Sequence, residues 1–183
     1  MHRIWSNRKR SLDAAAGEFN RRSPAVELLD REDTGDEWRS IWLFLIATLA
    51  RKPNGVVTRT APVTVGVRYR EAFLGEAPHP FEVVTILQPR GLFHPNVAPT
   101  GALCLGHPEP GLSLEFILHQ TWAALTFNMR KINTRRGDVV NPEAAQFVRA
   151  NAERFPLTEK GIFEEPDSPR AAGGPSLFTG IGQ

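Results

Sequence analysis

The pattern of apolar positions predicts a helix near the start of the chain. Apolar residues recur at helical spacing between Ser11 and about Arg22, and Ser11 itself can cap the first turn. These apolar residues are Leu12, Ala15, Ala16 and Phe19. The helix should end at Ser23-Pro24, because a proline disfavours helical backbone in the residue before it. The preceding residues are basic and poor in apolar side chains, so we predict a solvated basic arm over residues 1–9.

Four runs rich in β-branched and aromatic residues follow, separated by turn signals. They predict an antiparallel meander of four strands, namely Ala25–Leu29, Trp38–Ala50, Val56–Tyr69 and Phe81–Leu87. Residues 63–69 alternate, which places every second side chain on one face of a strand. That face carries Val63, Val65, Val67 and Tyr69. A helix is the rival interpretation of residues 38–50, but the short spacing of the turns favours the meander.

The chain changes character between Gln88 and Gly111, where five prolines and four glycines exclude a regular element. Irregular stretches of this length within a domain are often functional. Apolar residues then recur at helical spacing from Leu114 to Met129, which predicts an amphipathic helix.

The last part of the chain predicts one more helix and then a tail. Asn141-Pro142 provides a cap and a first-turn proline for a helix through about Phe155. From Glu164 onward Pro, Gly and Ser dominate the sequence. We therefore predict a single α+β domain over residues 10–163 and a flexible tail over residues 164–183.

Composition and charge narrow the class of protein. Of the 183 residues, 41% are hydrophobic and 23% are charged, which is typical of a globular domain. A net charge of +2 is too small for a nucleic-acid-binding surface. The longest apolar run, Ile41–Ala50, is about half the length of a membrane span. Since no apolar signal segment follows Met1, we expect a cytoplasmic protein without nucleic-acid or membrane partners.

The irregular segment contains the one cysteine of the chain, Cys104, so an intramolecular disulfide is excluded. Cys104 lies between two leucines and eight residues after Asn96, which itself follows His94-Pro95. By residue type alone, a free cysteine is most often a small core residue. His94 and Asn96 would then be turn-forming residues that bond nearby backbone groups. A reactive thiol on a shaped loop is the alternative.

The spacing of these residues resembles the active-site signature of ubiquitin-conjugating enzymes, Phe-His-Pro-Asn followed by Gly-x-x-Cys-Leu. The matching positions are Phe93, His94, Pro95, Asn96, Gly101, Cys104 and Leu105. Pro110-Gly111-Leu112 resembles the family's Pro-Ala-Leu, and residues 138–145 resemble its Asp-Pro-Leu-Asn stretch. The resemblance covers about residues 10–160 and implies the ubiquitin-conjugating-enzyme fold. That fold has an N-terminal helix, a four-stranded antiparallel meander, an active-site loop and C-terminal helices.

The resemblance also implies roles for the matching residues. Cys104 would accept a ubiquitin-like protein as a thioester from an activating enzyme and transfer it to an amine of a target protein. Asn96 would stabilise the oxyanion or, alternatively, brace the loop. His94 and Pro95 would shape the turn that presents Asn96. Asp138 would orient the incoming lysine, or it is an exposed aspartate near a helix N-terminus. No cofactor or metal is implied.

Partners follow from the same resemblance. Basic residues on or before the first helix would bind the activating enzyme, although a solvated charged face explains them equally well. They are Arg8, Lys9, Arg10, Arg21 and Arg22. The loops that dock RING-type ligases are reduced here, because Gly106–Glu109 lacks the usual tryptophan and only Pro78–Phe81 remains of the other loop. This argues against a ligase partner and favours direct transfer.

The ratio of arginine to lysine suggests the source of the protein. The chain has 18 arginines and 4 lysines, which is typical of a GC-rich bacterial genome. Together with the divergence from the family pattern, this favours a stand-alone bacterial member. Such proteins are encoded with a ubiquitin-like modifier, an activating enzyme and a peptidase in operons for defence against phage.

Three rival interpretations use the same residues. A cysteine hydrolase would need His94, His107 or His119 as a base for Cys104, with Asn96 to orient it. A zinc site could use Cys104 with His107 and His94, but these ligands lack tetrahedral spacing. A non-catalytic adaptor of the same fold would bind modifiers without carrying them, and the presence of Cys104 argues against it.

Overall fold

The computed structural model describes residues 2–128, 130, 132 and 139–166. It is an α+β fold with an N-terminal helix, a four-stranded antiparallel sheet, a separate two-stranded hairpin and two later helices. The helices are α1 (His2–Arg22), α2 (Leu114–Leu125) and α3 (Pro142–Ala150). The strands are β1 (Val26–Asp33), β2 (Glu37–Phe44), β3 (Thr48–Arg51), β4 (Val57–Thr60), β5 (Val63–Arg70) and β6 (Val84–Gln88). The predicted fold class and order of elements are confirmed.

Helix α1 begins at His2 rather than at Ser11, so the predicted basic arm over residues 1–9 is wrong for the described residues 2–9. The reason is Trp5, whose side chain is 2% exposed. Trp5 lies about two helical turns before Leu12, on the same apolar face of the helix. Its indole Nε1–H donates to the Gly35 carbonyl at 2.6 Å. The Lys9 ammonium lies 2.7 Å from the Asp33 carboxylate. The first turns of α1 therefore pack on the turn between β1 and β2.

The main sheet has the order β1-β2-β5-β6, and its inner face forms the main core. Residues alternate in β2 and β5, so that every second side chain is buried. Trp38 lies opposite Tyr69 across the β2–β5 ladder, with ring centroids 6.0 Å apart. Phe19 of α1 packs edge-on against Trp42 at 5.9 Å, which fixes the helix on the sheet.

Two of the predicted strands are each divided in the structure. The run Trp38–Ala50 becomes β2 and β3, and the run Val56–Tyr69 becomes β4 and β5. The first run changes the phase of its burial, since the alternation of β2 gives way to two consecutive buried residues, Thr48 and Leu49. The second run is interrupted by Pro62, which has no backbone N–H for a ladder. Strands β3 and β4 pair with each other outside the four-stranded sheet.

The outer strands also differ from their predicted bounds. Strand β1 continues to Asp33, beyond the predicted end at Leu29. Strand β6 begins at Val84 rather than Phe81, because a turn precedes it in which the Glu82 N–H donates to the His79 carbonyl at 2.9 Å.

The two later helices each begin at a capping residue, and of these two residues Asn141 is the one that the sequence predicted. The Ser113 hydroxyl accepts from the Phe116 N–H, and the Asn141 side chain accepts from the Ala144 N–H, both at 3.1 Å. Helix α2 ends at Leu125, and Met129, its predicted end, lies outside the described residues. Helix α3 ends at Ala150 and is followed by a short 3₁₀ turn, so the predicted extension to Phe155 is wrong.

A second, smaller core lies between the β3–β4 hairpin and α3. It consists of Leu49, Val57, Phe93, Phe127, Ile132, Ala144, Phe147 and Val148. Phe93 belongs to the irregular segment, and its N–H donates to the Leu49 carbonyl at 2.9 Å. The hairpin and α3 therefore support the start of the segment that carries the predicted site.

After α3 the chain returns to the end of α1. Ile162 is buried in the main core, and its carbonyl accepts from the Ser23 hydroxyl at 2.6 Å. Of the predicted flexible tail, residues 164–166 are described and the rest lies outside the described residues. None of the helices that the structure describes is both long enough and apolar enough to cross a membrane.

Candidate active site

The segment before Cys104 forms a tight hairpin, Val97–Leu103, which we call the upstream hairpin. The Ala98 N–H donates to the Ala102 carbonyl at 2.9 Å. The hairpin is also attached to β6, because the Leu103 N–H donates to the Val84 carbonyl at 3.0 Å. Cys104 thus follows directly after a segment whose position is fixed by the edge of the main sheet.

Gly101 makes this attachment possible. Its φ is +88°, and a Cβ at this position would lie 2.6 Å from the Ile86 carbonyl oxygen. The Gly101 carbonyl in turn accepts from the Ile86 N–H at 2.8 Å. Any side chain would therefore separate the hairpin from β6, which explains why the motif requires glycine here.

His94 is completely buried and makes two hydrogen bonds within the protein. Its Nδ1 accepts from the Asn96 N–H at 3.0 Å, and its Nε2 lies 2.8 Å from the Ala124 carbonyl. Burial lowers the pKa of His94 to about 4, so the ring is neutral with the proton on Nε2. Because both nitrogens are engaged, His94 cannot serve as the base of a cysteine hydrolase.

The buried Pro95 connects the site to the start of α3. Its carbonyl accepts from the Val140 N–H at 3.1 Å and from the Asn141 N–H at 3.0 Å. The Val140-Asn141 backbone therefore lies against the His94-Pro95-Asn96 turn. Asp138 itself, the predicted acid at the rim of the site, lies outside the described residues.

Asn96 and Cys104 are brought together by the hairpin. The Cys104 N–H donates to the Asn96 carbonyl at 2.8 Å, and the Asn96 side-chain Nδ2 donates to the Cys104 carbonyl at 3.4 Å. Asn96 is 6% exposed, whereas Cys104 is half-buried and its thiol is free. The amide here bonds the backbone of the cysteine, which is the contact expected of a residue that braces the loop.

The chain after Cys104 is fixed by fewer hydrogen bonds than the chain before it. We call Gly106–Pro110 the downstream loop. Among the described residues, its backbone makes no hydrogen bond. The loop ends at the Gly111-Leu112 turn, where the Gly111 N–H donates to the Phe73 carbonyl at 2.8 Å. The thiol therefore lies between a fixed segment and an open one.

Two side chains that the resemblance did not assign to the site bind the Gly111-Leu112 turn. The Tyr69 hydroxyl donates to the Leu112 carbonyl at 3.1 Å, and Arg8 donates to the Gly111 carbonyl at 3.1 Å and also to the Leu112 carbonyl. The sequence places Tyr69 on the buried face of its strand. A buried phenol requires a hydrogen-bond partner, and this was the signal that could have predicted the contact.

The five basic residues predicted to bind the activating enzyme do not form one surface. Arg8 and Lys9 are half-buried and already have partners within the molecule. Arg22 is exposed but lies over the Phe163 ring at 4.5 Å and near two carboxylates. Arg10 and Arg21 are exposed and lie on the same face of α1, since they are three helical turns apart.

The other predicted histidines lie in different places. His107 is exposed in the downstream loop. His119 packs on the far part of α1, with its ring 6.1 Å from Phe19 and 5.2 Å from Phe163. Within the described residues, no group of three or more His, Cys, Asp or Glu side chains could bind a metal ion.

Comparisons with known proteins show similarity to solved structures. No protein-family profile matches the chain, and no curated protein sequence matches it. Among solved structures, the chain is similar to S. cerevisiae Ubc12, with 20% sequence identity and a TM-score of 0.45. The alignment covers 85% of this chain and 83% of that chain. What this protein does is therefore inferred from the site itself.

Proposed function

We propose that this protein is a conjugating enzyme for a ubiquitin-like protein, with Cys104 as the acyl carrier. The observation that carries the proposal is the arrangement around Cys104. Cys104 has a free thiol and is half-buried, two contacts with Asn96 fix its backbone, and the buried, neutral His94 fixes Asn96 in turn. This arrangement supports the proposal, because it holds the cysteine in one position next to an amide donor.

The first step is an exchange of thioesters. The Cys104 thiolate attacks the carbonyl carbon of the thioester that joins the modifier's C-terminus to an activating enzyme. A new C–S bond forms to Cys104, and the C–S bond to the activating enzyme breaks, which releases that enzyme's thiolate. The two thioesters are of similar energy, so this step requires no strong base in the protein.

The second step transfers the modifier to a target. An amine nitrogen attacks the thioester carbon, and the resulting oxyanion collapses with cleavage of the C–S bond. An amide forms, Cys104 leaves as the thiolate, and the amine proton passes to solvent or to the departing sulfur. The Asn96 amide is close enough to the Cys104 backbone to turn toward the oxyanion, and we propose this second role beside its bracing role. Asp138 is proposed to orient the incoming amine.

The activating enzyme is proposed to dock on the exposed face of α1. Arg10 and Arg21 are the predicted basic residues best placed for this contact, because both are exposed and lie on one face. The modifier and a target protein are the other proposed partners. We propose direct transfer without a RING-type ligase, within a cytoplasmic, bacterial antiphage system.

Intact-mass measurement tests the carrier role. The protein would be mixed with ATP and with the activating enzyme and ubiquitin-like protein encoded in the same operon. We expect an adduct of the modifier's mass that a thiol reductant removes and that the Cys104→Ala variant lacks. Absence of the adduct from the folded protein, with the activating enzyme itself charged, would favour the adaptor interpretation.

A further inference from the structure

The Gly111-Leu112 turn makes hydrogen bonds with three separate parts of the fold. Arg8 of α1 donates to both of its carbonyls, and Tyr69 of β5 donates to the Leu112 carbonyl. Phe73 follows β5 in a 3₁₀ turn and accepts from the Gly111 N–H. The N-terminal helix is thereby connected directly to the chain that follows Cys104.

These contacts are the downstream anchor of the reactive cysteine. The upstream anchor is the hydrogen bond from the Cys104 N–H to the Asn96 carbonyl. Between the two anchors, the backbone of the downstream loop makes no hydrogen bond within the described residues. The hydrogen bonds that hold the downstream end of the loop are therefore those of the Gly111-Leu112 turn.

The chemistry of Arg8 suits this role. A guanidinium is a planar group with several N–H donors, and it can bond two neighbouring carbonyls at once. The guanidinium of Arg8 also lies 5.6 Å from the centre of the Tyr69 ring. Burial raises the pKa of Tyr69 above its usual value, so the phenol remains a protonated donor. Arg8 and Tyr69 together satisfy the Leu112 carbonyl.

We propose that Arg8 is a positioning residue, which holds the downstream end of the loop beside Cys104 instead of binding the activating enzyme. As far as it concerns acyl transfer, this inference rests on the proposed function. It separates Arg8 from Arg10, which lies on the same helix but is exposed and donates to the Asn7 side chain.

Steady-state and single-turnover kinetics distinguish the two roles. For Arg8→Ala, we expect transfer from the preformed Cys104 thioester to a small amine to slow roughly tenfold or more. The KM for the activating enzyme should change less than about twofold, and Arg8→Lys should restore part of the transfer rate. Arg3→Ala, which replaces an exposed arginine of the same helix, is the matched control and should leave transfer unchanged. An Arg8→Ala variant with a raised KM and a normal transfer rate would overturn the proposal.

Amide hydrogen exchange tests the anchor without any partner. In Arg8→Ala, the Gly111 amide should exchange at least about tenfold faster, while the Cys104 amide stays as protected as in the wild type. Unchanged protection of Gly111 would overturn the positioning role, even if the thioester forms. Faster exchange without any thioester on the wild-type protein would instead contradict the proposed function alone. If Arg8→Ala does not fold, Tyr69→Phe removes one donor to the same carbonyl, and we expect a smaller change in the same direction.

Discussion

The two sides of Cys104 differ in how the chain is fixed. On the upstream side, His94, Pro95 and Asn96 are buried, and their polar groups bond to α2, to the two residues before α3 and to the cysteine itself. On the downstream side, Gly106–Pro110 is mostly exposed, and its backbone makes no hydrogen bond within the described residues. The proposed carrier role requires a thiol with a defined position and with space for a large acyl group. Under that proposal, the upstream side fixes the position of the thiol and the downstream side leaves space for the acyl group.

The largest contrast is expected between two glycines of nearly identical backbone conformation. Gly101 has φ +88° and Gly106 has φ +87°. A Cβ at Gly101 would clash with the Ile86 carbonyl, whereas a Cβ at Gly106 would meet nothing within 4 Å. Gly101→Ala should lower the free energy of unfolding by about 3–4 kcal/mol, and Gly106→Ala by about 1 kcal/mol. Urea denaturation measures both variants, and equal losses would contradict the contrast.

A pH effect of about 3 kcal/mol is expected from His94. Its pKa is about 4 in the folded protein and 6.5 ordinarily, so the unfolded state binds more protons between these values. The free energy of unfolding should therefore be full above pH 6.5 and should fall as the pH is lowered toward 4. Urea denaturation at pH 7 and pH 4 measures this decrease.

The control for this pH effect is His94→Gln, which cannot titrate. We expect its stability to fall about 3 kcal/mol less than that of the wild type over the same pH range. An identical fall in both proteins would show that other groups cause the effect. If the variant does not fold, nitrogen chemical shifts of the wild-type ring provide the test, since the proton should remain on Nε2 down to about pH 4.

A smaller effect is expected from replacing the donor at Asn96. Asn96→Asp removes the N–H that bonds the Cys104 carbonyl, and it should destabilise the protein by about 1–2 kcal/mol. Asn54→Asp is the matched control, because the Asn54 side chain uses only its oxygen, which accepts from the Val56 N–H. Thermal denaturation of the two variants at pH 7 would contradict the bracing role if their midpoints shifted equally.

The smallest effect is expected in the downstream loop. His107 is exposed there, and its replacement by alanine should change the free energy of unfolding by less than about 0.5 kcal/mol. The same denaturation measurement applies. A loss of more than about 1 kcal/mol would mean that the loop is fixed by contacts of its own side chains, and that the contrast across Cys104 is smaller than we describe.

The sequence predicted the elements well where one local signal decides them. The capping residue Asn141 predicted the start of α3, because a cap depends on a few adjacent residues. The start of α1 was missed, because a single tryptophan, Trp5, in a basic segment gives no periodic signal. The sequence analysis also did not predict the division of the strands, since a run of apolar residues has the same pattern whether it lies in one sheet or in two.

For the site, the motif predicted which residues lie together, but it did not predict the contacts that fix their positions. The spacing from His94 to Cys104 corresponds to the upstream hairpin, whose contacts are local. Arg8 was assigned to an external partner, because its partner in the fold, the Gly111-Leu112 turn, lies more than a hundred residues away along the chain. A contact of that range cannot be predicted from charge pattern alone.

The most direct test of the central claim is to map the modifier onto residue 104. The Cys104→Lys variant would be incubated with ATP, the activating enzyme and the modifier, and the product would be digested and sequenced by mass spectrometry. The carrier role predicts a reductant-resistant amide between the modifier's C-terminal carboxyl and the side chain of residue 104. A folded variant that carries no modifier at residue 104, while the charged activating enzyme is present, would contradict it.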